Sequence, residues 1–299
     1  MTTQQRDLVH ELLRNAPFDL GGDIAVHRPL LEEMLTAQPL PADVHIAAGE
    51  LGGVPVTFID IDGVQPRGTL LHIHGGGFAL GSARGSVGLA SDLARRVGMR
   101  AVSVDYRLAP EHPFPAGLQD ATAAYRALVA DGGAESVIVS GESAGGNLAI
   151  EVVLAAKAAG LPLPAATVLF SPMTDLTVSG DSFATKAEVD PAISAQAIAT
   201  RVGDYLNGTG TPATDPQVSP IFADLTGVPP LLIQAGSHEV LLDDATRLAV
   251  KAAADDVPVI LDITPGVPHV FQAFAAMLDE GNAALERAAR FVGDHLGRA

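Results

Sequence analysis

From residue 69 onward the chain alternates short, mostly apolar runs with longer stretches whose apolar residues recur every three or four positions. The runs are Thr69 to Ile73, Ala101 to Val104, Val137 to Val139, Ala166 to Phe170, Leu231 to Gln234 and Val259 to Ile263. Between them, Ser86 to Val97, Ala116 to Ala130 and Leu148 to Ala159 have helical periodicity. A strand without a polar face must be covered on both sides, and a helix between strands returns the chain in parallel. Two earlier runs, Val44 to Ala47 and Val54 to Ile61, are joined by a turn through Gly49, Gly52 and Gly53. The pattern predicts an α/β fold with a mostly parallel sheet of about eight strands covered by helices.

Two intervals fall outside that rhythm. In the first 40 residues, Leu8, Val9, Leu12 and Leu13 stripe one helix, and Leu30, Leu31, Met34 and Leu35 stripe another. Pro17 and Gly21-Gly22 separate them. Such faces need cover, so they are expected to pack over the main domain. About 60 residues then lie between the Phe170 and Leu231 runs, too many for a simple crossover. Within them Pro191 to Tyr205 reads as a helix, and Asn207 to Pro220 is rich in Gly, Thr and Pro. The expected organisation is N-terminal cap helices over 1–42, a first part of the core over 43–175, a cap insertion over 176–220, and a second part of the core over 221–299. Val270 to Glu280 and Ala283 to Leu296 read as closing helices. The last of these could cover the sheet or pair with a second copy, which leaves a homodimer open.

Composition narrows the chemistry. With 47% hydrophobic residues in 299, a sizeable core can be buried. There is no cysteine, so disulfides, thiol nucleophiles and thiolate metal sites are excluded. A formal net charge of -17 opposes nonspecific binding to nucleic acid or to anionic lipid. No segment approaches the roughly 20 apolar residues that span a bilayer, and the first residues lack the apolar run of a signal peptide. A soluble cytoplasmic enzyme without stable membrane insertion is the expectation.

Ser143, in Gly141-Glu142-Ser143-Ala144-Gly145, lies between the Val137 strand and a helical run. That strand-turn-helix setting suits a nucleophile elbow, with glycines where the backbone must turn sharply. The helix end favours the negative charge that develops during attack. His74-Gly75-Gly76-Gly77-Phe78 likewise follows a strand, and its glycines let main-chain N–H groups face a ligand. The Gly76, Gly77 and Ala144 N–H groups are the expected oxyanion hole, with His74, Gly75 and Glu142 supporting it. Neither glycine cluster has the spacing of a dinucleotide or phosphate loop. His72 and His74 alternate on a strand without a third ligand in view, so no metal site is expected.

A serine hydroxyl needs a base. His269 follows the last strand, where loops converge above a parallel sheet. His10, His27, His45, His72, His112, His238 and His295 have weaker settings for that role. Glu239, Asp243 and Asp244 all follow the Leu231 strand and could orient the base. The two aspartates could instead favour a helix start. Glu239 lies nearest the strand end and is the preferred acid.

Taken together, His74-Gly75-Gly76-Gly77-Phe78, Asp105-Tyr106-Arg107-Leu108-Ala109-Pro110-Glu111, Phe114-Pro115-Ala116 and Gly141-Glu142-Ser143-Ala144-Gly145-Gly146 resemble the bacterial hormone-sensitive lipase-like branch of the α/β-hydrolases. The resemblance runs through nearly the whole chain. It implies an eight-stranded α/β-hydrolase core with a small helical cap, no cofactor, an oxyanion hole at Gly76, Gly77 and Ala144, and His269 as base. The usual Asp-Pro-Leu acid motif is replaced by Glu239-Val240-Leu241, as in a subgroup with a glutamate acid. Asp105, Arg107 and Glu111 are expected to form a buried support network, with Asp120 organising the same loop. The expected reaction is hydrolysis of short- to medium-chain esters through an acyl-enzyme. A lactone hydrolase, an amidase and a non-catalytic small-molecule receptor are the alternatives.

Overall fold

The structure, a computed structural model, describes residues 3–37, 39–130 and 133–297. Its centre is one eight-stranded sheet. The strands are β1 (Val44–Leu51), β2 (Val54–Ile61), β3 (Thr69–Ile73), β4 (Arg100–Val104), β5 (Val137–Glu142), β6 (Ala166–Phe170), β7 (Leu231–Gly236) and β8 (Val259–Thr264). They lie side by side in the order β1-β2-β4-β3-β5-β6-β7-β8. The β1·β2 and β2·β4 pairs are antiparallel, and the other pairs are parallel. Gly49 lies inside β1 opposite Val56, so the hairpin turn is made by Gly52 and Gly53 alone.

Central strands β5, β6 and β7 are buried almost throughout, as their mostly apolar runs require. Helices α3 (Val87–Val97) and α9 (Asp279–His295) lie on one face, with Leu93, Val97, Leu285, Phe291 and Val292 in a core shared with Leu70 and Phe170. Helices α4 (Ala116–Val129), α5 (Ala144–Ala158) and α8 (Leu242–Ala254) belong to the core on the other face, with Tyr125, Leu148, Val152 and Leu248. The stripe of the last helix therefore covers the sheet. At about 2 kcal/mol per fully buried large apolar side chain, these faces supply the main cohesion of the fold.

Helices α1 (Thr3–Arg14) and α2 (Ile24–Thr36) precede the sheet, and α6 (Ser182–Thr185) and α7 (Ala195–Leu206) lie between β6 and β7. The cap is built from these pieces, and Gly21 packs against Ala197 where its two parts meet. One expected helix is absent. Val270 to Glu280 forms only a 3-10 turn over Phe271–Phe274, and α9 starts at Asp279 with two acidic residues in its first turn. Val270 has φ of 50°, which an α-helix cannot contain. Among the described residues no helix is long and apolar enough to cross a membrane.

Candidate active site

The chain crosses over β3 between β4 and β5, so β3 and β5 are neighbours, with Ile73 opposite Gly141. The Gly75–Gly77 loop leaves the end of β3, and Ser143 leaves the end of β5. Adjacent strand ends thus bring together two motifs separated by more than 60 positions. A Cβ on Gly75 would lie 3.0 Å from that of Ser143.

Ser143 has φ of 56° and ψ of −123°, a strained turn that stands immediately before α5. Such conformations cost on the order of 1–3 kcal/mol and persist only where their surroundings enforce them. Here the enforcement is steric. A Cβ on Gly141 would lie 2.2 Å from the Gly145 carbonyl oxygen, and one on Gly145 only 2.1 Å from that of Ile73. The Ser143 amide donates to the Phe170 carbonyl at 2.9 Å, and its carbonyl accepts from Met173 at 3.0 Å. Both bonds tie the turn to the end of β6.

Gly76 and Gly77 have φ of 107° and 61°, and Gly76 approaches the Leu80 carbonyl too closely for a side chain. Among the described residues, no partner takes up the Gly76, Gly77 or Ala144 N–H groups. The Gly75 N–H is already used, donating to Glu142 Oε1 at 2.9 Å. Ser86 donates to the same oxygen at 2.8 Å, while Glu142 Oε2 meets His72 Nε2 at 2.7 Å. His72 Nδ1 in turn meets Ser140 Oγ at 2.8 Å. Burial pushes the Glu142 carboxyl upward, but His72, Gly75 and Ser86 outweigh it and hold it below the usual range. His74 is buried and stacked on Tyr106, whose hydroxyl donates to the His74 carbonyl at 2.9 Å. Burial lowers its pKa, and its Nδ1 contacts the Gly75 carbonyl.

The expected base and acid, His269 and Glu239, meet from the ends of β8 and β7. His269 Nδ1 lies 2.7 Å from Glu239 Oε2. Glu239 is fully buried, and its Oε1 accepts from Ser171 Oγ at 3.0 Å and from the Gly236 N–H. With one oxygen taken by these two donors and the other facing the imidazole, this buried carboxyl is firmly held. Gly236 is required for the base to arrive, since a Cβ there would lie 2.2 Å from the Val267 carbonyl oxygen. The 265–269 loop thereby passes back over β7 toward β6, where Ser171 Oγ accepts from the Val270 N–H at 3.1 Å. Ser171, at the end of β6, is the point at which acid, base loop and serine turn converge.

The model profile of the alpha/beta hydrolase fold family matches residues 70–273. The crystal structure of an esterase from the bacterial hormone-sensitive lipase (HSL) family is similar with a TM-score of 0.94 and 38% identity, covering 99% of this chain and 100% of that one. The chain belongs to this family. An esterase of Acinetobacter venetianus is 37% identical over 88% of the hydrolase and 87% of its own length. An acetyl-hydrolase of Streptomyces hygroscopicus is 36% identical over 98% of the hydrolase and 97% of its own length.

One expectation needs correction. Asp105, Arg107 and Glu111 do not join in one buried network. Asp105 accepts from the Ala83 N–H, Arg107 pairs with Asp120 at 2.8 Å, and Glu111 pairs with Arg28 of α2 at 3.0 Å. No regular element continues past Val104, so successive side chains leave in different directions and find separate partners. Asp243 and Asp244, the less favoured alternatives to Glu239, lie away from His269. Asp243 accepts from the Ser182 N–H, and Asp244 accepts from the Thr174 and Asp175 N–H groups. Residues that no motif marks also touch the site. Ser171 follows a strand without a glycine signature, and His72 stands out only by alternating with His74. Among the described residues, no group of three or more His, Cys, Asp or Glu could hold a metal ion.

Proposed function

We propose that Ser143, His269 and Glu239 are the nucleophile, base and acid of an esterase working through an acyl-enzyme. The protein is a serine-type carboxylesterase acting on small esters, as its family and its esterase and acetyl-hydrolase relatives indicate. The His269 Nδ1 contact with Glu239 carries the residue assignment. It occupies one ring nitrogen and leaves Nε2 for the serine proton.

In the first step Ser143 Oγ attacks the ester carbonyl carbon while its proton passes to His269 Nε2. The unpartnered N–H groups of Gly76, Gly77 and Ala144 receive the negative oxygen. Each such donor contributes about 3–4 kcal/mol to the transition state. Collapse breaks the bond to the alcohol oxygen, which takes the proton from His269. Water then gives a proton to His269, attacks the acyl carbon and releases the acid, and Ser143 regains its proton. Buried Glu239 stabilises the imidazolium formed in both steps.

Short- to medium-chain acyl groups are the proposed range. Helix α7 supports it by lying directly on the oxyanion loop, with Arg201 against Gly77 and Tyr205 stacked on Phe78 at 3.9 Å. The test is turnover of p-nitrophenyl acetate, butyrate and decanoate, a small lactone, and the amide matching one ester. Butyrate is expected to exceed decanoate and the amide, and Ser143→Ala is expected to lose at least about 1,000-fold in kcat. Equal turnover by Ser143→Ala would sink the assignment, and ligand binding without hydrolysis by the parent would favour a receptor.

A further inference from the structure

Val240, the residue after Glu239, has both its backbone groups tied to the cap insertion. Its N–H donates to Asp190 Oδ2 at 2.8 Å, and its carbonyl accepts from Ser182 Oγ at 2.6 Å. Ser182 reinforces the contact, because its Oγ accepts from the Asp243 N–H at 3.0 Å and its N–H donates to Asp243 Oδ2 at 2.9 Å. Asp190 is itself fixed, with Oδ1 accepting from the Ala192 and Ile193 N–H groups at 2.9 Å each. Val240 is fully buried, so water cannot replace Asp190 without the acid loop opening.

We propose that Asp190, seconded by Ser182, is a positioning residue that sets Glu239 against His269. The proposal rests on Glu239 being the acid. Glutamate has one more rotatable bond than aspartate, so the place of its carboxylate depends more strongly on a fixed backbone. On the carboxylate itself, Gly236 and Ser171 hold Oε1. On the chain immediately beyond it, the holding groups come from residues 182 and 190. The cap insertion thereby contributes to the acid–base pair without touching the substrate. Loss of the Asp190 carboxylate leaves the Val240 N–H buried without an acceptor. The loop then relaxes, and Glu239 moves off the imidazole nitrogen.

The test is a double-mutant cycle read in kcat and KM on p-nitrophenyl butyrate. Asp190→Ala and Asp190→Asn are each made in the parent and in a Glu239→Gln background, with Tm measured for every protein. Asp190 also faces His10 and His238, whose pKa values are lowered, chiefly by burial. Assays at pH 8 therefore keep both rings neutral. Asp190→Ala is expected to lower kcat about tenfold with KM within about twofold, the scale of one lost hydrogen bond to a charged group. Asp190→Asn keeps one oxygen acceptor and is expected to lose about threefold. In the Glu239→Gln background both changes are expected to cost less than about twofold, because no ionised acid is left to position. The same fold loss in both backgrounds, or a change confined to KM, would overturn the proposal. Should Asp190→Ala fail to fold, the Asp190→Asn cycle decides alone. Full activity of Glu239→Gln would sink the acid assignment itself, and that result is read with Asp190 intact.

Discussion

At the end of β5 the chain is held by the absence of side chains, whereas at the end of β7 it is held by their presence. Around Ser143, Gly141 and Gly145 bring backbone to within distances that no Cβ would allow. Around Glu239, Ser171, Ser182 and Asp190 supply oxygen atoms from segments far away in the chain. Steric exclusion is all-or-none and nearly independent of pH. Hydrogen bonds can be weakened one at a time, and a buried carboxyl responds to pH. The two halves of one site should therefore fail in different ways.

The largest expected effect is on the steric side. Gly145→Ala would put a methyl group 2.1 Å from the Ile73 carbonyl oxygen and 2.4 Å from that of His74. It is expected either to prevent folding or to reduce turnover more than about 1,000-fold, the scale of losing both the nucleophile and its hole. Gly88→Ala is the contrast, since no atom lies within 4 Å of its added Cβ in α3. That variant should fold normally and gain up to about 1 kcal/mol in urea unfolding. Near-equal behaviour of the two would break the steric account.

A smaller loss is expected where the two kinds of restraint meet. Glu142 lies in the elbow, but its carboxylate holds the Gly75 N–H and pairs with His72. Glu142→Ala should leave the elbow in place and loosen the glycine loop. The expected result is a kcat lowered about 10- to 100-fold, short of the loss of a complete donor. KM for p-nitrophenyl butyrate should change little. A fall in KM-limited binding without a fall in kcat would show that Glu142 does not act through the loop.

The last effect is one of stability on the acid side, and it is small at low pH and grows as pH rises. Asp244 is fully buried beneath the acid loop, and burial raises its pKa to about 8, well above the usual carboxylate range. Well below pH 4 its carboxyl is protonated both folded and unfolded, so it makes no difference there. Between about pH 4 and 8 the unfolded chain ionises while the folded one resists, and the fold loses stability as pH rises. Asp244→Asn keeps an oxygen for the Thr174 and Asp175 N–H groups and removes this penalty. Its Tm relative to the parent should be nearly unchanged at pH 4 and increasingly favourable toward pH 8. A flat difference across that range would mean that the carboxyl is ionised throughout.

Much of the steric half could be read directly. Glycines mark their own positions, and the Ser143 elbow and the Gly75–Gly77 loop each occupy a few consecutive residues beside a strand. The acid half was less legible. Glu239, Asp243 and Asp244 lie within six residues of one another, and no local rule separates the one that reaches His269 from the two that bind backbone. Ser171 and Asp190 carried no motif. The Val270 to Glu280 stretch misled by its periodicity, because the positive φ at Val270 comes from the loop that carries His269.

By itself the sequence determined the alternation of buried strands with helices, and with it a covered parallel sheet. It also determined where the backbone could turn sharply, because apolar periodicity and missing side chains act over a few residues. Only the tertiary structure decided which carboxylate meets the imidazole and which cap residues hold it. Those bonds join positions 30, 50 and 68 residues apart. Such partners are chosen by strand order and loop path, which short-range chemistry does not encode.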